Sequence, residues 1–474
     1  MNIIKAEPVI DNPRRLPFPA GGEVILAKMF GSYGRVVVEK EFGGGNVFLV
    51  HPIKRNGMGE HPAIVKIASS PCIQQEWEAY QGVVLNRWPD RAWVNEAPFT
   101  VPGNEWAALR YPLVGSGKFA IDSLATYTRR AGLADLRFVF EEQLPEVIKT
   151  NHLFSETYQV ISWQTSFDHL LPANLSLRPL NASSSNQPSH HITSDKLPSV
   201  FLNHGDRVRL ERFVVTGIEA RQDSVTLGLP PGGRAMSRYR VLLQPPPESL
   251  PYQLGQVVPT VEGSVIETRY ERLQAEVSHL VTTGTDLTAS TLLTPLGRDV
   301  GNPLLYLHSL STVSRLVKVG CIHGNLSLAN ILIAPATREV NLINFSQARH
   351  DHLLYDFLQM ETEIITHYLP ELLGPTDSVA DLLYRLYEQL HLVNSPISAQ
   401  ITDVQLLSRF EKPLLLLLAI RKMAAPHLLE PYVWSEYYQG LLHFLMAAVA
   451  LEQLSRVSRQ VAFWAAAASA RFTL

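Results

Sequence analysis

The alternation of hydrophobic and polar positions first predicts a small sheet near the start of the chain. Between residues 29 and 111, short runs rich in valine, isoleucine and aromatic residues are separated by glycine turns, which is typical of strands. The predicted strands are residues 34–39, 46–51, 63–68 and 106–111, and a predicted helix at 73–85 interrupts them. Residues 1–27 are rich in proline and lack periodicity, so we expect an irregular arm there.

A helical pattern begins at Ser123. Its apolar residues recur at steps of three and four positions, which places them on one face of a helix. These residues are Leu133, Leu136, Phe140, Leu144, Val147 and Ile148. The polar stretch 183–191 that follows is expected to be a loop or a domain boundary.

A second β-like segment follows this polar stretch. Its apolar residues alternate with period two, as in half-buried strands. They are Val208, Leu210, Val225, Leu227, Leu229, Tyr239, Val241 and Leu243. We therefore expect a small antiparallel barrel or sheet at about 195–247, inserted in a helical domain. Beyond Glu262 the chain is expected to be helical to its end, except for one short region.

Composition and charge exclude several classes of protein. The chain has 474 residues, 46% hydrophobic and 18% charged, which is typical of a globular protein with a large core. Its net charge of −3 argues against nucleic-acid binding by the chain as a whole. Two cysteines, Cys72 and Cys321, form neither a disulfide framework nor a thiolate zinc site, which fits a reducing compartment.

The apolar stretches argue against a membrane protein. The longest, residues 413–420 and 441–451, are shorter than the roughly 20 residues that a bilayer-spanning helix needs. The first residues also lack the pattern of a secretory signal. We therefore expect a cytoplasmic protein with no membrane association.

The short region that interrupts the last helical stretch is GCIHGNLSLANILIAPATREVNLINFSQA, residues 320–348. Residues 330–333 and 340–343 are apolar and predict two strands joined by a turn. Such a hairpin gathers the polar residues that flank its strands in one place. These residues are His323, Asn325, Asn330 and Asn344.

The spacing of these polar residues matches H-x-D-L-x-x-x-N followed by strands and D-F-G, the catalytic loop and metal loop of protein kinases. Here the loops read His323-Gly324-Asn325-Leu326-Ser327-Leu328-Ala329-Asn330 and Asn344-Phe345-Ser346. The sequence thus resembles the protein-kinase-like superfamily, and most closely its aminoglycoside phosphotransferase and choline kinase branch. Within that branch it resembles a bacterial kinase-like domain known as a ternary complex associated domain.

The resemblance implies an α+β, two-lobed protein-kinase-like fold with a small antiparallel sheet lobe, a larger helical lobe and an inserted small antiparallel β unit. The implied segments are an arm at 1–27, a sheet lobe at 28–115, the first part of the helical lobe at 116–194, the inserted unit at 195–247, and the remaining helical lobe with the hairpin and C-terminal helices at 248–474.

The resemblance also implies a nucleotide site. It expects a lysine on the third strand to hold the phosphates, and Lys66 lies there. Glu76 is the expected helix glutamate that fixes the direction of this lysine, with Glu78 as the alternative. Asp356 resembles the buried helix aspartate of the branch, and we interpret it as structural. The remaining implied nucleotide contacts are the glycine turn Gly43, Gly44 and Gly45 over the phosphates, and the backbone near Tyr111 and Leu113 for adenine.

Two departures from the family pattern bear on catalysis. Asn325 stands at the base position and Asn344 at the principal metal position, where the family has aspartate. An amide does not accept a proton, and general base assistance is typically worth about 10² to 10⁴ in rate. Magnesium is held by carboxylates, so the neutral residues Asn330 and Asn344 form a weak metal site. The nearest substitute carboxylate is Asp351, seven residues past Asn344.

The sequence therefore predicts a catalytically impaired pseudokinase of the bacterial cytoplasm, with a nucleotide-sensing or scaffolding and regulatory role. A protein partner is expected, with ATP as a candidate ligand and magnesium bound weakly or not at all. One alternative is an active ATP-dependent phosphotransferase that acts on a small molecule or a protein hydroxyl. Another is a nucleic-acid or peptide binding module in the inserted unit. That alternative rests on the arginines of the unit, which are Arg207, Arg209, Arg212, Arg221, Arg234, Arg238 and Arg240.

Overall fold

A computed structural model of the protein describes residues 7–19, 21–42, 46–85, 87, 94, 97–111, 120–152, 156–180, 190–193, 202–219, 224–229, 239–245, 252–282, 284–310, 313–374, 377–394 and 401–473. The chain forms two compact units. The first consists of Met1–Tyr158, Lys318–Ile364 and Phe410–His427, and the second of Gln159–Val317, Ile365–Arg409 and Leu428–Leu474. Each unit contains both helices and sheets, so the predicted α+β class is confirmed.

The first unit contains a six-stranded sheet with the strand order Val9–Asp11, Arg35–Phe42, Val47–Ile53, Ala63–Ser69, Trp106–Tyr111 and Phe99–Thr100. The first pair is parallel and the other pairs are antiparallel. The four strands that the sequence predicted are confirmed to within a few residues, because valine, isoleucine or aromatic residues occur where a buried strand needs them.

The first 27 residues contain more regular structure than the predicted arm. Strand Val9–Asp11 pairs with Arg35–Phe42, and helix Gly22–Met29 buries Ile25 and Leu26 in the hydrophobic core beside the sheet. This helix has only eight residues and follows several prolines. A helix of that length depends on tertiary packing for its stability, so its own sequence pattern is weak.

The helix that follows strand Ala63–Ser69 spans Ser70–Ala79. It begins three residues before the predicted start at residue 73, because Pro71 fits the first turn, where its missing N–H is not needed. A π-helical segment, Tyr80–Val84, continues it. Ile73 and Glu76 are buried on the same face, whereas Glu78 is exposed.

The predicted hairpin is also present. Its strands are Ile331–Ala334 and Glu339–Leu342, which pair antiparallel, and Asp122–Ser123 adds a third strand. Before the hairpin, the part of strand Ser314–Ile322 that starts at Val319 pairs with Arg349–His352. The two polar loops at the ends of the hairpin therefore belong to one framework of strands.

Helices make up the remainder of the first unit. They are Leu124–Arg130, Leu133–Phe138, the π-helical Val139–Gln143, Leu144–His152, the short 3-10 segments Phe345–Gln347 and Ala425–His427, Tyr355–Glu363 and Glu411–Ala424. Four residues of the predicted apolar face are fully or nearly fully buried, namely Leu136, Phe140, Leu144 and Ile148.

The second unit contains a seven-stranded sheet with the strand order His190–Thr193, Arg207–Glu211, Val261–Thr268, Leu175–Pro179, Val241–Leu243, Ser224–Gly228 and Val214–Glu219. The predicted strands within 208–243 are confirmed. Two other expectations were wrong. The sheet is mixed rather than antiparallel, and it includes strands on both sides of the predicted bounds 195–247. Residues beyond Glu262 are therefore not helical until Arg269, and strands Thr291–Leu293, Asp299–Gly301 and Ser314–Ile322 interrupt the predicted helical stretch again.

The other elements of the second unit are mostly helical. The helices are Trp163–Phe167, Asp168–Leu170, Arg269–Ser278, Pro303–Leu310, Leu369–Leu372, Val379–Val393, Val404–Arg409, Ser435–Val449 and Arg456–Ala470, and a hairpin joins Thr291–Leu293 to Asp299–Gly301. Strand Thr157–Ser162 and the π-helical segment Ile364–Tyr368 lie where the chain passes from one unit to the other. Among the described residues, no helix combines the length and the apolar character that a bilayer crossing requires.

Candidate functional site

The loop that begins at His323 is shaped by a buried carboxylate. Asp356, on helix Tyr355–Glu363, accepts hydrogen bonds from the backbone N–H groups of His323 at 2.7 Å and Gly324 at 2.9 Å. Burial raises the pKa of Asp356 to about 6. Gly324 has φ +72°, and a Cβ there would lie 2.2 Å from the carbonyl oxygen of Gln347. Only glycine fits this bend. The two hydrogen bonds that Asp356 accepts from the loop agree with the structural role expected for it.

His323 connects the two polar loops. Its Nε2 is 3.0 Å from the carbonyl oxygen of Ile343, so Nε2–H donates to that carbonyl, and Nδ1 accepts from the N–H of Asn325 at 3.3 Å. The ring also packs against Phe345, with 5.3 Å between the centroids. Both ring nitrogens are thus committed, and the side chain is buried. The sequence analysis named His323 among the catalytic residues. Its contacts in the structure hold the two polar loops in position.

The burial of His323 predicts a pH dependence of stability. Desolvation lowers its pKa to about 4 in the folded protein, against 6.5 normally. A depressed folded-state pKa gives stability that is present above pH 6.5 and is lost as the pH falls from 6.5 toward 4, about 3 kcal/mol for a shift of this size. Wild type should therefore lose its advantage over His323→Asn across this window in urea denaturation. A difference in unfolding free energy that does not change with pH would contradict a neutral, buried His323. Asp356, whose pKa is raised, affects the pH dependence of stability in the opposite direction, but it does so in both proteins.

Glu76 is the centre of a buried network. Its carboxylate accepts hydrogen bonds from the Lys66 ammonium, the Tyr111 hydroxyl and the backbone N–H of Phe345, the last at 3.0 Å. Glu76 is 0% exposed, so these three donors replace its water. The network links strands Ala63–Ser69 and Trp106–Tyr111 to residues 344–346, which we call the metal-loop segment after the kinase loop that they resemble. The alternative residue, Glu78, is exposed and accepts instead from Gln74 at 2.8 Å.

Asn344 occupies the space beside Lys66. Its Oδ1 accepts from Lys66 Nζ at 2.7 Å and from Ser346 Oγ at 3.1 Å, and its Nδ2 donates to Asn330 Oδ1 at 3.2 Å. Asn344 has φ 69°, a left-handed conformation that asparagine tolerates better than most residues. Its backbone N–H donates to the Tyr111 hydroxyl at 3.4 Å.

The asparagines continue as a row of amides, which we call the amide cluster: Asn325, Asn330, Asn344 and Gln359. Asn330 Nδ2 donates to the backbone carbonyl of Asn325 at 2.8 Å, and Gln359 Nε2 donates to Asn325 Oδ1 at 3.0 Å. The residues that the sequence analysis placed at the base and metal positions of a kinase are therefore neutral groups that hydrogen-bond along one row.

The amide cluster does not fit magnesium. The Asn344 amide oxygen faces the Lys66 ammonium, and the Asn330 amide oxygen faces an N–H group of Asn344. Neither oxygen carries a formal charge, and a hard divalent cation prefers carboxylates. Asp351 accepts from Arg349 Nε at 2.8 Å and is thus already paired. Within the described part of the chain, no three His, Cys, Asp or Glu residues are grouped to hold a metal ion.

Part of the predicted nucleotide site can be located. Lys66 is 9% exposed, and two of the three hydrogens of its ammonium point to Glu76 and Asn344, so one remains for a phosphate oxygen. The Tyr111 side chain is committed to Glu76, and burial together with that carboxylate raises the pKa of its hydroxyl well above 10. Its backbone contact to adenine stays a prediction. The predicted contacts of Gly43, Gly44, Gly45 and Leu113 lie outside the described residues.

Two residues of the site escaped the sequence analysis. The side chain of Tyr111 holds Glu76, although only its backbone was considered, and Gln359 supports Asn325 from a helix 34 residues further along the chain. Neither residue belongs to a motif with fixed spacing, so the sequence carried no signal for these contacts.

Comparison with known proteins agrees with part of this interpretation. The family model for ternary complex associated domain 9 matches residues 36–449. The matched region includes Lys66, Glu76 and the whole amide cluster, and also the seven-stranded sheet of the second unit. A comparison with curated proteins gave no match. The match covers most of the chain, and this chain therefore belongs to the ternary complex associated domain 9 family.

Proposed function

We propose that this protein is a pseudokinase, a two-lobed protein-kinase-like fold that has lost phosphoryl transfer and serves as a nucleotide-sensing or scaffolding protein in the bacterial cytoplasm. The observation that carries the proposal is the position of Asn344. Its amide oxygen accepts from Lys66 at 2.7 Å and its amide nitrogen donates to Asn330 at 3.2 Å, where a kinase would hold a metal ion.

The long-range contacts of Lys66 support a kinase-like arrangement. Lys66 and Asn344 are 278 residues apart in the chain, and Glu76 and Phe345 are 269 apart, yet each pair is in hydrogen-bond contact. A strand lysine, a helix glutamate and a loop that follows a hairpin are the parts that a kinase uses to hold nucleotide phosphates. Their convergence favours descent from such a site over a chance match of short motifs.

The chemistry of the amide cluster supports the loss of catalysis. Asn325 offers an amide oxygen, which Gln359 already engages, and it does not take a proton from an acceptor hydroxyl. Phosphoryl transfer depends on positioning and on neutralising charge, so the loss of the metal ligand at position 344 removes a second contribution. The two losses act on the same transition state and are not simply additive.

The same change favours nucleotide binding without a metal. Carboxylates at positions 325 and 344 would repel phosphates unless magnesium neutralised them. With amides at both positions, a phosphate that approaches the remaining N–H of Lys66 meets no such repulsion. We therefore propose that any nucleotide is bound through Lys66 and independently of magnesium.

ATP should raise the melting temperature of the wild-type protein by the same amount in EDTA and in magnesium. The variant Lys66→Ala should lose this ATP-induced increase, because the phosphates lose their cation. Its unliganded melting temperature should also fall, since Glu76 loses its charged partner, so the readout is the increase and not the absolute value. Lys54→Ala is the matched control, since Lys54 is an exposed lysine that pairs with Glu60.

An ATP-induced increase that survives Lys66→Ala would place the nucleotide site elsewhere. No increase in the wild type would leave scaffolding as the role of the site and remove nucleotide sensing. The family's name, ternary complex associated, supports a role in an assembly with other proteins, and we propose a protein partner on that basis.

The contacts of the arginines argue against the nucleic-acid alternative. Arg209 lies 3.1 Å from Glu211 and 3.6 Å from Glu262. Arg240 donates to the backbone carbonyls of Asp168, at 2.9 Å, and Leu171. Of these two guanidinium groups, one is neutralised and the other is turned inward, which makes both less available to phosphates. Of the other predicted arginines, Arg221, Arg234 and Arg238 lie outside the described residues.

A further inference from the structure

A cleft of about 450 Å³ lies within the first unit, and its lining includes no residue of the amide cluster. Three helical segments contribute apolar side chains to it. Phe140 and Ile148 come from the stretch 139–152, Phe357 from helix Tyr355–Glu363, and Met423 from helix Glu411–Ala424. Small-molecule sites in proteins usually have volumes of roughly 300 to 1,000 Å³ and a mostly apolar lining. The cleft therefore has the size and the surface of a ligand site.

Polar groups converge on one part of this cleft. Lys318 Nζ lies 3.2 Å from Glu156 Oε1 and donates to the carbonyl of Pro426 at 2.9 Å. The ring of His427 is stacked on Phe357, with 5.6 Å between centroids and 12° between planes. Burial lowers the pKa of His427 to about 4, so this imidazole is neutral at pH 7. A few fixed polar groups beside an apolar surface are what orient a ligand.

Among the described residues that line the cleft, one positive charge is not balanced by an ion pair. Lys318 and Lys422 line it together with Glu141 and Glu156, and Arg137 lies 3.8 Å from Glu141. Glu156 pairs with Lys318 and Glu141 pairs with Arg137, so among the described residues Lys422 is the lining lysine that has no ion pair. An exposed lysine without an ion pair favours a ligand with one negative group over a neutral or cationic ligand.

The helix beside the cleft is irregular at the same place. Val139–Gln143 is π-helical, and two of its residues, Phe140 and Glu141, line the cleft. A π-helical turn is rare and occurs often at functional sites. This local distortion is independent of the volume and charge of the cleft, and it points to the same place.

We propose that this cleft binds a small organic anion, a molecule with an aromatic or branched apolar body and one carboxylate, sulfonate or phosphate group. The apolar body packs on Phe140, Phe357 and Met423, and the anionic group lies toward Lys318 and Lys422. The site is separate from the proposed nucleotide site and does not depend on the pseudokinase function.

The test uses the full chain and two fluorescent probes. 8-Anilinonaphthalene-1-sulfonate carries the anionic group, and N-phenyl-1-naphthylamine has the same rings without it. Wild type should bind the sulfonate saturably at one site. Lys422→Glu should weaken sulfonate binding about tenfold and leave the neutral probe nearly unchanged, because only the charge term differs. Met423→Trp should abolish binding of both probes by filling the cleft. Lys412→Glu, on the same helix but outside the cleft, is the matched control and should bind like wild type.

Each result decides the proposal. The absence of saturable sulfonate binding to wild type, or equal affinity in all four proteins, would overturn it. Loss of binding in Met423→Trp with no effect of Lys422→Glu would overturn the assignment of an anionic ligand. Because Lys422 is exposed, its reversal leaves the fold intact, and circular dichroism of each variant verifies this.

Discussion

The double substitution Asn325→Asp with Asn344→Asp should make ATP binding dependent on magnesium. Both changes replace an amide with a carboxylate of almost the same shape. Asn330 must then turn its amide so that the nitrogen donates to the carboxylate at position 344. This rearrangement costs about 1 kcal/mol. Magnesium would gain charged ligands, and we expect it to lower the Kd for ATP at least tenfold, about 1.4 kcal/mol, as measured by isothermal titration calorimetry with and without EDTA.

Each single substitution should have a smaller effect than the pair, because the two carboxylates act on one bound phosphate–metal unit. Asn56→Asp with Asn203→Asp is the matched control, since both asparagines are exposed and lie outside the amide cluster. Magnesium should not change ATP binding in this control. A double variant Asn325→Asp with Asn344→Asp that ignores magnesium would contradict the explanation that these two amides are what exclude the metal.

Glu76→Ala should cost about 3–5 kcal/mol of unfolding free energy, the largest stability effect that we expect from a single substitution in the site. The change leaves the Lys66 ammonium, the Tyr111 hydroxyl and the N–H of Phe345 without their common acceptor. Glu76→Gln keeps the shape and loses the charge, so its cost should be smaller. Urea denaturation measures the unfolding free energy of both variants.

Glu78→Ala provides the comparison for Glu76. Glu78 lies on the exposed face of the same helix, and its truncation should change the unfolding free energy by about 0.5 kcal/mol or less. Equal effects of the two substitutions would mean that the carboxylate of Glu76 does not hold the strands and the metal-loop segment together.

The sequence predicted the local elements of the first unit well, because their signals are local. Strands such as Ala63–Ser69 contain runs of valine and isoleucine, and the hairpin has two apolar runs around a turn. The pair of Lys66 and Glu76 was predicted from the resemblance to kinases, and the two side chains are in hydrogen-bond contact.

The remaining features depend on which distant segments meet. Tyr111 and Phe345 reach Glu76 from 35 and 269 residues away, and no spacing connects them. The seven-stranded sheet of the second unit is a similar case, because periodicity identifies a strand but not its neighbour. Strands Leu175–Pro179 and Val261–Thr268 therefore join the sheet from outside the predicted bounds. The sequence likewise identified an amide at position 344 without indicating that its oxygen faces Lys66.

A turnover assay with radiolabelled ATP is the decisive test of the proposal that the site does not transfer phosphate. Wild-type protein is incubated with magnesium and ATP labelled at the γ-phosphate, and both released phosphate and label on the protein are measured. We predict values equal to those of buffer alone, because Asn325 accepts no proton and Asn344 offers magnesium no charge. Magnesium-dependent turnover by the wild-type protein that Lys66→Ala abolishes would refute the proposed loss of catalysis and support an active phosphotransferase.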